Sequence, residues 1–263
     1  MNISNIFIKF YLIIYIYEIL NLLYYNFKKR GYEFILKKDI TRNIITVLLG
    51  LCIVLARIVY PTHVDITKTT VVIEFLLELI ICLSIIFINR NQIKEIFSQK
   101  IEHKGKFFLK ILATWAIMFF GTTILNIIVQ IIYGSITGVP LAEAYDPAAE
   151  VANIFMNTFF LPILLVQCIL APIEEELVFR YAFRKIFKKD NFISIFLYVV
   201  ISSWLFGFIH SASLFAPGMI TYICTGLVLS LTYLKFKDIR LLIGAHMFNN
   251  SLIWIVSLIA SLV

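Results

Sequence analysis

Phe192-Ile193-Ser194-Ile195-Phe196-Leu197-Tyr198-Val199-Val200-Ile201-Ser202-Ser203-Trp204-Leu205-Phe206-Gly207-Phe208-Ile209-His210-Ser211 runs for twenty residues without one Asp, Glu, Lys or Arg. About 20 such residues carry a helix across the hydrocarbon core of a bilayer. Comparable apolar runs cover approximately 6–26, 43–60, 70–89, 107–133, 155–180, 214–234 and 239–262. The predicted fold class is therefore an all-α integral membrane protein, a bundle of about eight transmembrane helices.

Composition agrees. The 263 residues are 61% hydrophobic and 15% charged, with a mean hydropathy of +0.93. A soluble domain is near half apolar and about a quarter charged. The 24 Phe and 13 Tyr residues suit membrane spans with interfacial aromatics. The net charge of +7 does not imply a nucleic-acid partner, because its basic residues collect in loops rather than on one aromatic-interleaved face. Cys52, Cys82, Cys168 and Cys224 all lie in apolar runs without a CxxC pair, so neither disulfides nor a zinc knuckle is expected. The N-terminus shows no basic stretch followed by a small-residue cleavage site, and no removable signal peptide is expected.

The loops test the helix count. Segment 26–42 holds Lys28, Lys29, Arg30, Lys37, Lys38 and Arg42, and segment 90–106 is basic again. Arg184, Lys185, Lys188 and Lys189 form a third basic cluster, and Lys235, Lys237 and Arg240 a fourth. The intervening segments 61–68, 134–150 and 212–216 hold Lys68 alone among Lys and Arg. Basic loops stay cytoplasmic, so both termini are expected to be extracytoplasmic.

Ionisable groups inside such runs cost several kcal/mol and need a reason. Lys9, Glu18, Arg57, Glu74 and Glu78 read as pairs between helices or as snorkelling side chains. Pro172-Ile173-Glu174-Glu175-Glu176-Leu177-Val178-Phe179-Arg180 is different: three consecutive carboxylates and an arginine follow an apolar run. Glu176 and Arg180 share a face at i, i+4 as an ion pair, while Glu175 points about 100° away, toward a cavity. The structural alternative puts all three glutamates at an aqueous interface, capping or pairing with Arg184 and Lys185. His210 and His246 lie deep in the final apolar runs, and Asn250 shares a face with His246. Two histidines, an intramembrane Asn and a glutamate cluster in one third of a chain favour a site over separate structural residues.

EExxxR (Glu175, Glu176, Arg180), FxxxH (Phe206, His210) and HxxxN (His246, Asn250) follow in that order on successive hydrophobic segments. Together they resemble the CAAX protease and bacteriocin-processing (CPBP) family of intramembrane proteases, which includes type II CAAX prenyl endopeptidases and abortive-infection proteins. The resemblance covers about 150–251. It divides the chain into 1–149, four N-terminal transmembrane helices, and 150–263, a catalytic helix core, within one structural domain. By resemblance, Glu175 and His210 activate a water, His246 and Asn250 contact the oxyanion, and Glu176 with Arg180 supports the glutamate helix.

No cofactor is favoured. If a metalloprotease, the chain would hold Zn with Glu175, His210 and His246. HExxH, GxGD and a glycine-flanked rhomboid serine are absent. The expected function is an intramembrane endopeptidase acting on membrane-associated peptides or proteins, in peptide or bacteriocin processing, self-immunity or CAAX-type processing. The alternative is a non-catalytic membrane partner that regulates a sensor kinase or confers bacteriocin immunity. Expected partners are the lipid bilayer and a membrane-associated substrate, with no nucleic acid. Usage rich in Ile, Lys, Asn and Phe suggests an AT-rich genome and a bacterial cell membrane. One tension remains in depth: His246 is about 9 Å, and His210 roughly 30 Å, from the cytoplasmic ends of straight helices. The two meet only if Asn191 to about Tyr198 lies along the interface or the helices tilt; Pro172 could also kink its helix toward them.

Overall fold

The computed structural model describes residues 34–59, 68–140, 164–187, 189–211 and 217–262. Among them every regular element is helical. The predicted run 6–26 lies outside the described residues, as does the division near 149 and 150. Helices occupy the described residues of the other predicted runs: α1 Phe34–Val59, α2 Lys68–Ile88, α3 Arg90–Ser98 and α4 Lys104–Thr137. A composite helix then alternates π and α turns: π1 Val166–Leu170, α5 Ala171–Glu175, π2 Glu176–Ala182 and α6 Phe183–Ile186. Helices α7 Phe192–Ser211, α8 Pro217–Phe236 and α9 Ile239–Leu262 complete the described part.

Four described helices are long and apolar enough to cross a membrane: α4, α7, α8 and α9. Phe75–Ile88 of α2 and the whole of α3, bent by 76° between them, make a fifth if they count as one broken span. That bend replaces the loop expected over 90–106. Buried Asn89 holds its corner by donating from Nδ2 to Thr46 Oγ1 at 2.8 Å and to the Ile85 carbonyl at 2.9 Å. Beyond the corner, Arg90–Ser98 alternates polar and apolar residues and buries none of them.

The core gathers Val47 of α1, Ile85 of α2 and Met118 of α4 around Leu177–Phe183, Phe206, Leu229 and Leu242. Apolar burial adds little between helices in lipid, so close packing and polar ties hold the bundle. Helices α7 and α8 approach at two glycines. A Cβ on Gly226 would stand 2.9 Å from Ser203 Cα, and one on Gly207 would stand 2.9 Å from the Met219 carbonyl oxygen. Ser202 Oγ ties α7 to π2 by donating to the Phe179 carbonyl at 2.8 Å. The outer faces stay apolar and exposed, as at Leu109, Phe120 and Ile131 of α4, where lipid is the natural solvent. All four cysteines are free, three of them buried.

Helix α7 is continuous from Phe192, and Tyr198 within it is fully buried against protein. The Asn191–Tyr198 stretch is therefore no separate element set apart from the helix. Helix α9 starts at a well-formed cap: the Arg240 N–H donates to Asp238 Oδ1 at 3.1 Å, and the Arg240 side chain closes back on the same carboxylate. Burial pushes the Asp238 carboxyl up, but the hydrogen bonds and charge of Arg240 outweigh it and hold the group below its ordinary range.

Candidate active site

The glutamate segment does not reach an aqueous surface. Glu174, Glu175 and Glu176 are all buried, and the Glu176 and Arg180 side chains have no exposure at all. This corrects the interfacial alternative. Arg184 pairs instead with Asp190, and Lys185 lies over the Tyr181 ring. Of the early charges, Glu78 is buried; Lys9, Glu18 and the side chains of Arg57 and Glu74 lie outside the described residues.

Three helices bring the predicted residues together. Glu175 closes α5, His210 stands near the end of α7, and His246 sits two turns into α9. His210 Nε2 is 3.5 Å from Glu175 Oε1, and His246 Nε2 is 3.8 Å from Glu175 Oε2. Glu176 faces the other way. Its Oε1 is 2.9 Å from His246 Nδ1, and its Oε2 is 3.5 Å from Arg180 Nε. Neighbouring carboxylates thus meet different atoms, Glu175 the two Nε2 atoms and Glu176 His246 Nδ1 and Arg180.

The hydrogen-bond partners fix the ring tautomers. His210 Nδ1 lies 2.9 Å from the Phe206 carbonyl, which can only accept, so Nδ1 carries the proton. His246 Nδ1 donates to Glu176 in the same way. With Nδ1 engaged in this way, each ring turns Nε2 toward Glu175. The Glu175 carboxylate and the two Nε2 atoms converge on one small volume, an arrangement that suits a shared proton or a polarised water.

Aromatic groups set the walls. Phe206 lies under the Arg180 guanidinium, 4.4 Å from its centroid, and against the His210 ring at 4.5 Å. Tyr222 of α8 stacks on the other side of His210, 4.4 Å away and 21° from parallel. The FxxxH spacing therefore seats a histidine and floors a buried cation at once.

A cavity of about 10 Å³ adjoins Glu175, lined also by Gly50, Glu78, Ala171, Glu174, Phe179 and Ile209. That is about the room one water needs. Glu78 reaches it from α2, far outside the motif segment. The unusual intramembrane acid at 78 was visible in the sequence, but its destination was not.

Asn250 lies one turn beyond His246 on α9, and its Nδ2 donates to the Gln167 carbonyl at 2.9 Å. Gln167 Oε1 accepts from Trp254 Nε1 at 2.9 Å. Gln167 and Trp254, like Tyr222, carry no motif that sequence reading could use.

A zinc site would need both Nε2 atoms and a Glu175 oxygen about 2.0–2.2 Å from one ion. Among the described residues no three His, Cys, Asp or Glu side chains are gathered in that way.

Comparison with known proteins covers the same region. Residues 157–252 match the family model "Type II CAAX prenyl endopeptidase Rce1-like", a span that holds every residue of the three motifs. The chain is 28% identical over 201 residues to the membrane-embedded CAAX protease MroQ of Staphylococcus aureus (strain USA300), covering 74% of this chain and 77% of that protein. No solved structure gives a significant match. Three motifs on three packed helices, together with both matches, make residues 157–252 similar to the type II CAAX prenyl endopeptidases of the CAAX protease and bacteriocin-processing family.

Proposed function

We propose that the protein is an intramembrane endopeptidase that hydrolyses membrane-associated peptides through a water activated by Glu175 and His210. The observation that carries this reading is the convergence of Glu175, His210 Nε2 and His246 Nε2 in one buried site. A water between Glu175 and His210 would be polarised by both acceptors and could lose a proton to either. Its oxygen attacks the peptide carbonyl. The proton taken from it goes to the amine nitrogen as the C–N bond breaks, leaving an amine and a carboxylic acid whose remaining proton passes to solvent.

The developing oxyanion needs donors. Asn250 carries two amide hydrogens, one of them engaged by Gln167. His246 donates from Nε2 once that atom is protonated. Glu176 keeps the ring in the tautomer that faces the site and stabilises the imidazolium when it forms. Arg180 balances the buried Glu176 charge.

The proposed chemistry needs no metal. Substrates would be peptides or proteins held at the membrane and cleaved near the cytoplasmic leaflet, in peptide processing, self-immunity or CAAX-type cleavage. The test uses purified protein in liposomes with a membrane-anchored reporter peptide. Cleavage that survives chelator, and falls at least about a hundredfold in His210→Ala and in His246→Ala, is expected. Activity abolished by chelator and restored by zinc would overturn the metal-free mechanism. Full activity in both variants would overturn the site.

A further inference from the structure

Residues Val166–Leu170 form a π turn, in which each carbonyl bonds the N–H five residues on. The Val166 carbonyl follows that rule and accepts from the Ala171 N–H. In the same register the Gln167 carbonyl would take the N–H of residue 172. That residue is Pro172, which has none. The carbonyl left over is the one that accepts from Asn250 Nδ2 at 2.9 Å. Gln167 is held a second time, by Trp254 Nε1 on its side-chain oxygen at 2.9 Å. Trp254 follows Asn250 by four residues, so both come from one face of α9.

The consequence concerns which end of Asn250 faces the site. An asparagine amide is nearly symmetric in shape, and its two ends differ only in what they bond. A carbonyl accepts and never donates, so it selects the NH2 end. One hydrogen is then pinned and the second keeps a fixed direction.

We propose that Pro172, Gln167 and Trp254 form a positioning device for Asn250. Pro172 withholds the backbone donor, Gln167 offers the freed carbonyl, and Trp254 locks Gln167 in place. None of the three touches substrate. The inference rests on the protease reading above, because it assigns Asn250 a fixed donor for the oxyanion.

Pro172→Ala tests it by supplying the missing N–H to the Gln167 carbonyl. The substitution also replaces the poorest helix former with the best, so the melting temperature in detergent is expected to hold or rise. Turnover should nevertheless fall about tenfold at unchanged KM, a part of what loss of an oxyanion donor costs. In an Asn250→Ala background the same change should alter kcat by less than about twofold. Trp254→Phe leaves the backbone alone and should lower kcat about threefold, again without moving KM; it carries the test if Pro172→Ala does not fold. Wild-type kcat in Pro172→Ala, or an equal loss with and without Asn250, would overturn the proposal. So would wild-type kcat in Trp254→Phe when that variant alone is measurable. Failure of the protease reading looks different: wild type would then leave the reporter peptide uncut, or Glu175→Gln would cleave it as fast as wild type.

Discussion

Removing Arg180 should damage this protein more than removing both members of its ion pair. Glu176 and Arg180 have no exposure, and their charged atoms stand 3.5 Å apart. Truncating one partner of a buried pair strands the other and costs about 3–5 kcal/mol. In Arg180→Met the Glu176 carboxylate keeps one donor, His246 Nδ1 at 2.9 Å, so the loss should fall near the lower figure, about 3 kcal/mol. The methionine still fills the place of the guanidinium above Phe206, so packing loss adds little. Glu176→Gln combined with Arg180→Met leaves no stranded charge and should return to within about 1 kcal/mol of wild type. Turnover should not return with it. Glu176→Gln still offers His246 an acceptor oxygen but not the negative charge that stabilises its imidazolium, and kcat should stay about tenfold or more below wild type. Denaturant unfolding in micelles and a peptide-cleavage assay separate the two effects. A double variant as unstable as Arg180→Met would refute the stranded charge as the cause. Wild-type turnover in the double variant would refute the role of the Glu176 charge in stabilising the His246 imidazolium.

Gly226→Val should destabilise the bundle by about 2 kcal/mol or more, because its Cβ would stand 2.9 Å from Ser203 Cα on the facing helix; thermal unfolding in detergent reads it. Asp238→Ala should cost about 1 kcal/mol as a lost helix cap. The folded Asp238 carboxyl titrates below its unfolded value, so its contribution is complete above pH ~4 and is lost as pH falls through the folded pKa; wild type and Asp238→Ala should converge in stability at the acid end. Glu78→Leu should lower kcat about tenfold at unchanged KM by replacing a polar wall of the cavity beside Glu175, while Glu78→Gln should keep most activity in the same cleavage assay.

Helical type and membrane character could be read from the chain because apolar runs of spanning length are long-range signals that no local choice disturbs. The offset between Glu175 and Glu176 was legible for a similar reason: helix geometry separates neighbouring side chains by a fixed angle. The depth of His210 was not legible, because a rise per residue measured along straight helices says nothing of how they tilt or cross. The two Nε2 atoms converge on Glu175 despite it. The Asn89 corner was hidden because a buried side-chain tie to Thr46, not a glycine or proline, holds the bend. Gln167 was hidden because its role depends on a π register, which no residue type announces. Glu78 stood out as an acid in an apolar run, but only the packing of α2 against α5 shows that it lines the same cavity as Glu175.

The central claim is that Glu175 activates the water that cleaves the peptide. Its most direct test is single-turnover cleavage of a membrane-anchored peptide by wild type and by Glu175→Gln, reconstituted in liposomes at equal folded amounts. Gln keeps the shape of the side chain and loses the base, so the rate should fall about a thousandfold or more while peptide binding is retained. Cleavage by Glu175→Gln at the wild-type rate would contradict the account.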